Sequence, residues 1–169
     1  MTRPALAMFA TSVLLWAIAA QANHYLAGAH VYLFLGGLMI TRGALALPLG
    51  SGMAASLLAG CVCDANALVP FGTHALLFAA AHAVLFNLRD RLPHDETAGR
   101  VVIALFVNFA LFMALSFIEI GRSPAPAAGW IRLFADLLVS QVVLAIAAPW
   151  FLALQDRAAE LARPAPAWR

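Results

Sequence analysis

The feature that most constrains this chain is an apolar run of 38 residues, Leu26 to Cys63, which contains a single charged residue, Arg42. One α-helix of that length would extend about 57 Å, nearly twice the ~30 Å hydrocarbon core of a lipid bilayer. The run therefore predicts two apolar helices. We place the break at Thr41 to Gly43, where a charge and a glycine interrupt the apolar pattern.

Composition extends this prediction to the whole chain. Of the 169 residues, 64% are hydrophobic and 11% are charged, and the mean hydropathy is +0.89. A soluble domain keeps about a quarter of its residues charged, so this chain has too few polar residues to cover a core. The sequence predicts an all-α integral membrane protein, a six-helix bundle forming one multi-pass domain over residues 1–169. The helices are expected at about 4–22, 26–41, 44–63, 71–88, 101–120 and 130–154.

The positions of the arginines predict the orientation of these helices. Six crossings put both termini on one side, and cytoplasmic loops carry an excess of basic residues. Cytoplasmic termini place most arginines inside and only Arg122 and Arg132 outside; the inside set is Arg3, Arg42, Arg89, Arg91, Arg100, Arg157, Arg163 and Arg169. The first apolar segment ends in Ala20-Gln21-Ala22 and also has features of a secretory signal peptide. We favour a retained helix, since cleavage would leave an odd number of crossings.

Several enzyme classes lack the residues that they require. The chain has no lysine, which P-loop phosphate binding and Schiff-base chemistry both use. No H-E-x-x-H zinc motif is present. A rhomboid-type serine protease would pair a serine in a glycine-rich turn, here Ser51, with a histidine on a later helix, and no histidine follows His94 in the last two predicted helices. Cys61 and Cys63 lie about 200° apart on a helix, so we interpret them as small apolar residues. We expect no enzymatic activity, no cofactor, no metal site and no nucleic-acid partner.

Polar residues within the apolar segments need a structural or functional reason, because ionisable groups are costly at membrane depth. These residues are Asp64, His74, His82, Asn108, Glu119, Asp136 and Gln141. His74 and His82 share one helix face, and interhelical hydrogen bonds are a better interpretation than a metal site because no third ligand is suitably spaced. Asp136 lies one turn after Arg132, which predicts a locally neutralised pair.

A stripe of small residues marks one face of the third predicted helix. Gly52, Ser56, Gly60 and Asp64 recur at a spacing of four, which allows a neighbouring helix to approach closely. Asp64 is expected to accept hydrogen bonds from the following turn or from the start of the fourth helix, as a staple between the two helices. Replacing Asp64 by Asn is then expected to cost on the order of 1 kcal/mol, and replacing it by Leu more.

The same region carries a resemblance to a known family. Gly60-Cys61-Val62-Cys63-Asp64 is followed eight residues after the aspartate by Phe71-Gly72, and Thr73-His74-Ala75-Leu76 then opens the fourth helix. This pattern resembles the rod-shape-determining protein MreD, and Pro149-Trp150-Phe151 is similar to a segment before that family's basic tail. The chain departs from the family in Ala65 to Pro70, where a Ser-Gly turn is usual, and in acidic residues that dilute the tail.

The resemblance implies a function without catalysis. It would make the chain a scaffold of the cell-elongation complex in the bacterial inner membrane, bound to the bitopic protein MreC. Through MreC it would couple MreB filaments to the glycosyltransferase and the penicillin-binding transpeptidase that build peptidoglycan. Gly60, Asp64, Phe71, Gly72, His74, Pro149 and Trp150 are the structural or interaction candidates. A second hypothesis follows from the general six-helix pattern, which also resembles the substrate-binding subunits of energy-coupling-factor vitamin transporters.

Overall fold

A computed structural model describes residues 2–67, 69–121 and 126–163. It is all-helical over those residues and contains six α-helices, as the sequence predicts. Short 3₁₀ turns follow α1 and α4. The six helices are α1 (Arg3–Leu26), α2 (Gly36–Ala46), α3 (Leu49–Asp64), α4 (Thr73–Leu88), α5 (Thr97–Ile120) and α6 (Pro126–Leu161).

Three of the helical segments are long and apolar enough to cross a membrane. They are Arg3–Ala29, Thr97–Ile120 and Gly129–Leu161. Leu49–Asp64 is a shorter apolar helix. Large hydrophobic side chains also point outward along α6, where Ile131, Leu138, Ile146 and Trp150 are all exposed. An apolar exterior of this kind is typical of a protein whose surroundings are apolar.

The prediction for the second helix is wrong. Residues 30–35 are not helical, and α2 runs through the expected break at Thr41 to Gly43 and ends at Ala46. The turn begins at His30, which adopts a left-handed conformation (φ 56°). Arg42 does not end the helix because its guanidinium pairs with the carboxylate of Asp156 on α6.

The segment from residue 30 to residue 46 is nevertheless long enough to run the length of the bundle. With 11 residues, α2 measures only about 16 Å. The preceding non-helical residues, 31–35, add at most about 17 Å at roughly 3.3 Å each. A non-helical stretch followed by a short helix thus replaces the regular helix that the sequence predicts.

Other boundaries differ from the prediction at identifiable residues. The third helix begins at Leu49 and not at residue 44, because Pro48 is its N-cap. The sixth continues past Leu154 to Leu161, and its last turns are anchored by the buried side chains of Gln155 and Ala159. The predicted loop at Arg122 to Ala125 and the tail after Arg163, with Arg169, lie outside the described residues, as does Leu68.

Side-chain contacts define the two ends of the bundle. At one, the Asp156 end, the start of α1 packs against the α2–α3 junction and the end of α6 through a small cluster: Ala5, Met8, Leu47, Ala55 and Ala159. The carboxylate of Asp156 at this end forms ion pairs with the guanidinium groups of Arg42 and Arg100, and the N–O distance to Arg100 is 3.0 Å. At the other, the Asp64 end, α3 turns into α4 and the extended segment meets α5 and α6. The main hydrophobic core lies between these ends, around Leu38, Ile40, Phe78 and Leu144.

Candidate functional site

The small-residue stripe of α3 faces α4 as predicted. A methyl group built on Gly60 would lie 2.5 Å from Cα of Ala75, so the two backbones approach too closely for any side chain. One turn earlier on α3, Ser56 hydrogen bonds to Nδ1 of His82 at 2.8 Å. Gly52 provides the space for the same imidazole ring, since a methyl group there would lie 2.6 Å from its Nε2 atom. The two helices therefore form one tightly packed hairpin.

Asp64 closes this hairpin with both of its carboxylate oxygens. Oδ1 accepts the backbone N–H of His74 at 2.9 Å and the Nδ1–H of its ring at 2.8 Å. Oδ2 accepts the backbone N–H groups of Gly72 at 3.0 Å and Ala75 at 3.1 Å. The first N–H groups of a helix have no partner within it, so a carboxylate from α3 caps α4. The hydrogen bonds predicted for Asp64 are thus present, and they use its full acceptor capacity.

The Phe71-Gly72 pair shapes the turn into α4. Gly72 has φ +98°, a conformation that other residues adopt only with strain, and nothing lies within 4 Å of the position of its missing side chain. This conformation directs the N–H of Gly72 towards Asp64. Phe71 makes no comparable contribution to the core, because its side chain is 73% exposed. The glycine is therefore needed for backbone geometry, whereas the phenylalanine is available to surrounding molecules.

The two histidines of α4 behave as predicted, since each hydrogen bonds to α3. His74 pairs with Asp64, and His82 pairs with Ser56. Nε2 of the fully buried His82 has no hydrogen-bond partner among the described residues. The described residues contain no group of three or more His, Cys, Asp or Glu side chains arranged to hold a metal ion.

The extended segment before α2 is fixed by side chains from three other helices. The backbone N–H of Tyr32 donates to Oδ1 of Asp136 at 2.9 Å, and that of Phe34 donates to Oγ of Ser140 at 2.9 Å. Asn23 of α1 pairs with Leu33 in both directions, accepting its N–H at 2.7 Å and donating to its carbonyl oxygen at 2.9 Å. Buried peptide groups need such partners when no helix supplies them.

Asn108 of α5 completes this polar network at the start of α2. Its side-chain oxygen accepts the N–H of Gly37 at 3.0 Å, and its amide group donates to the carbonyl oxygen of Phe34 at 3.2 Å. Gln141 of α6 is the neighbouring amide, 3.4 Å away, and it donates to the carbonyl oxygen of Leu105 at 3.0 Å. Asn108 is fully buried, so its two backbone contacts hold the non-helical segment in the core.

A cavity of about 570 Å³ lies at the Asp64 end, beside this segment. Phe34 and Phe112 form part of its apolar wall. Its charged lining comes from Glu119 at the end of α5 and from Arg132 and Asp136 on α6. This volume lies within the range of small-molecule sites, which are mostly apolar with a few fixed polar groups.

The predicted neutral pair of Arg132 and Asp136 does not form. Among the described residues, no salt bridge within 4 Å joins them or pairs another cation with Asp136. Asp136 is buried and points to the backbone of Tyr32, while Arg132 is exposed. Both residues line the same cavity, but they do not form the ion pair that the sequence predicts.

The Pro149-Trp150 pair lies away from this end. Pro149 lies inside α6, and the adjacent Trp150 is 80% exposed. Cys61 and Cys63 are free and half-buried. The structure therefore brings Gly60, Asp64, Gly72 and His74 together. Pro149 and Trp150 on α6 are not part of that group.

Sequence reasoning missed the residues that act over long distances along the chain. Asn23 received no role, and neither did the two ion pairs that Asp156 makes with Arg42 and Arg100. A signal was present for Asp156, because a lone arginine in an apolar run needs an acidic partner. Nothing in the sequence indicated which acidic residue supplied it.

No family model matches the chain, and no curated protein or solved structure shows significant similarity to it. The geometry itself provides a rigid hairpin, a buried polar network and a charged cavity.

Proposed function

We propose that the chain is a six-crossing protein of a bacterial inner membrane, with both termini in the cytoplasm, that serves as a scaffold of the cell-elongation complex in the manner of MreD. In this role it binds an MreC-like bitopic protein and helps to couple MreB filaments to the enzymes of peptidoglycan synthesis. The scaffold makes and breaks no covalent bonds; it holds its partners through packed helices.

The observation that carries the proposal is the α3–α4 hairpin. The resemblance rests in part on Gly60, Asp64, Gly72 and His74, and these four residues act together in one structural unit. Gly60 allows the two helices to approach closely, and Asp64 accepts the hydrogen bonds. Gly72 provides the left-handed turn, and His74 donates hydrogen bonds to Asp64. A rigid hairpin with an exposed Phe71 at its turn suits a protein whose role is to hold another membrane protein.

The three long apolar helices support the proposed membrane character. The contacts between the start of α1 and the end of α6 support an even number of crossings, because they bring both ends of the described chain to the same end of the bundle. The extended segment fits a membrane interior because irregular backbone is tolerated at that depth where protein buries it. Reporters fused after Arg169 and within residues 89–100 are expected to indicate cytoplasm. Cysteines placed near Asn23 and Ser123 are expected to be labelled from the periplasm. Failure of that labelling would refute the six-crossing arrangement.

Copurification tests the function itself. The full chain, extracted in mild detergent, is expected to retain an MreC-like protein, and removal of the tail after Arg163 is expected to leave that complex intact. Loss of the complex on truncation would place the interface in the tail. Retention of an ATPase module and a bound vitamin, without an MreC-like protein, would instead support the transporter-subunit hypothesis.

A further inference from the structure

The cavity at the Asp64 end contains an arrangement of charges that the scaffold proposal does not use. Asp136 is only 4% exposed, yet no described cation lies within salt-bridge distance of it. One of its oxygens accepts the N–H of Tyr32. A buried carboxylate without a cationic partner is costly, so the described lining favours a cation supplied by a ligand.

Arg132 supplies the complementary charge in the same cavity. It precedes Asp136 by four residues on α6, which separates the two Cα atoms by about 6 Å along the helix axis and places them on one face. Glu119 adds a second carboxylate from α5. A simple anion would be repelled by the two carboxylates, whereas a simple cation would leave the guanidinium without a partner. A ligand that carries both charges matches both ends of this arrangement.

We propose that this cavity binds a small zwitterion, with its ammonium group at Asp136 and Glu119 and its acidic group at Arg132. The aromatic wall of Phe34 and Phe112 then contacts the ligand's apolar part. An aminoalkyl phosphate has this chemistry, and it occurs both as a free solute and as the headgroup of phosphatidylethanolamine. His74 of the hairpin also lines the cavity, but Glu119, Arg132 and Asp136 belong to α5 and α6, so the charges of the site do not depend on the scaffold role.

Titration of the purified full chain in detergent with O-phosphoethanolamine tests the proposal. Saturable binding is expected, tighter than that of ethanolamine or inorganic phosphate alone. Asp136→Asn keeps an acceptor for Tyr32, and Arg132→Gln alters an exposed side chain, so both variants are expected to fold. Each should weaken binding by roughly tenfold or more, the usual effect of losing a charge-assisted hydrogen bond. Arg157→Gln is the matched control, because its side chain is 74% exposed at the Asp156 end.

Lipid nanodiscs separate the two sources of the ligand. If the free zwitterion does not bind but phosphatidylethanolamine is retained over phosphatidylglycerol, and both variants abolish that preference, the site takes the lipid headgroup. If neither probe binds, or if both variants bind as tightly as the unmodified chain, the proposal is overturned.

Discussion

Replacement of Asp64 by Asn tests the central contact of the hairpin. The carboxylate accepts four hydrogen bonds, two on each oxygen. An amide has one oxygen, so whichever way it is oriented, two donors of the α4 start lose their acceptor and face an N–H₂ group. Since each buried donor without a partner costs about 1–3 kcal/mol, Asp64→Asn should destabilise the protein by about 2–6 kcal/mol. This exceeds the cost expected from sequence, because the sequence did not show that both oxygens are used.

The assay is thermal unfolding of the purified full chain in detergent, followed by tryptophan fluorescence. A loss of that size lowers the midpoint by roughly 4–24 °C in a protein of this length. Asp64→Leu removes all four acceptor contacts and should lower it further. The matched control is Asp90→Asn, the same chemical change at a carboxylate that is 88% exposed, which should shift stability by less than about 0.5 kcal/mol.

Two results would refute the reasoning. If Asp64→Asn unfolds at the same temperature as Asp90→Asn, the hydrogen bonds to α4 do not stabilise the hairpin. If Asp64→Asn is stable and abundant in membranes but fails to restore rod shape in a strain lacking the native protein, the carboxylate has a role that depends on ionisation and not on hairpin stability. Graded loss of abundance and rescue, milder for Asn than for Leu, is the expected outcome.

Three further substitutions probe the packing and the polar network by the same unfolding measurement. Gly60→Ala should destabilise the protein by about 1–3 kcal/mol through overlap with the α4 backbone, whereas Gly50→Ala, with open space around it, should be neutral or stabilising; equal effects would contradict the close approach. Gly72→Ala should cost roughly 1–2 kcal/mol from its left-handed conformation alone, and an unchanged midpoint would show that the turn is not strained. Asn108→Leu leaves two backbone groups unpaired and should cost about 2–5 kcal/mol; Phe106→Leu, at a side chain that is 70% exposed, should cost far less, and similar losses would exclude a structural role for the amide.

Local patterning was sufficient for the number of helices and for the hairpin. Apolar segments of suitable length predicted six helices, and the spacing of Gly52, Ser56, Gly60 and Asp64 predicted which face of α3 its neighbour contacts. The prediction succeeded because a repeat of four residues always shares a helix face. Neighbouring helices joined by a short turn also pack against each other, so Asp64 found its partners only 8–11 residues away.

The path of residues 30–46 and the charge arrangement of the cavity depended on contacts between distant parts of the chain. Residues 31–35 are as apolar as their helical neighbours, and their non-helical backbone is stable because Asp136, Asn23 and Ser140 accept the N–H groups of residues 32–34. Two of these partners lie more than 100 residues away. A local pattern describes what a segment prefers in isolation, whereas here the hydrogen bonds made after folding decide the backbone conformation.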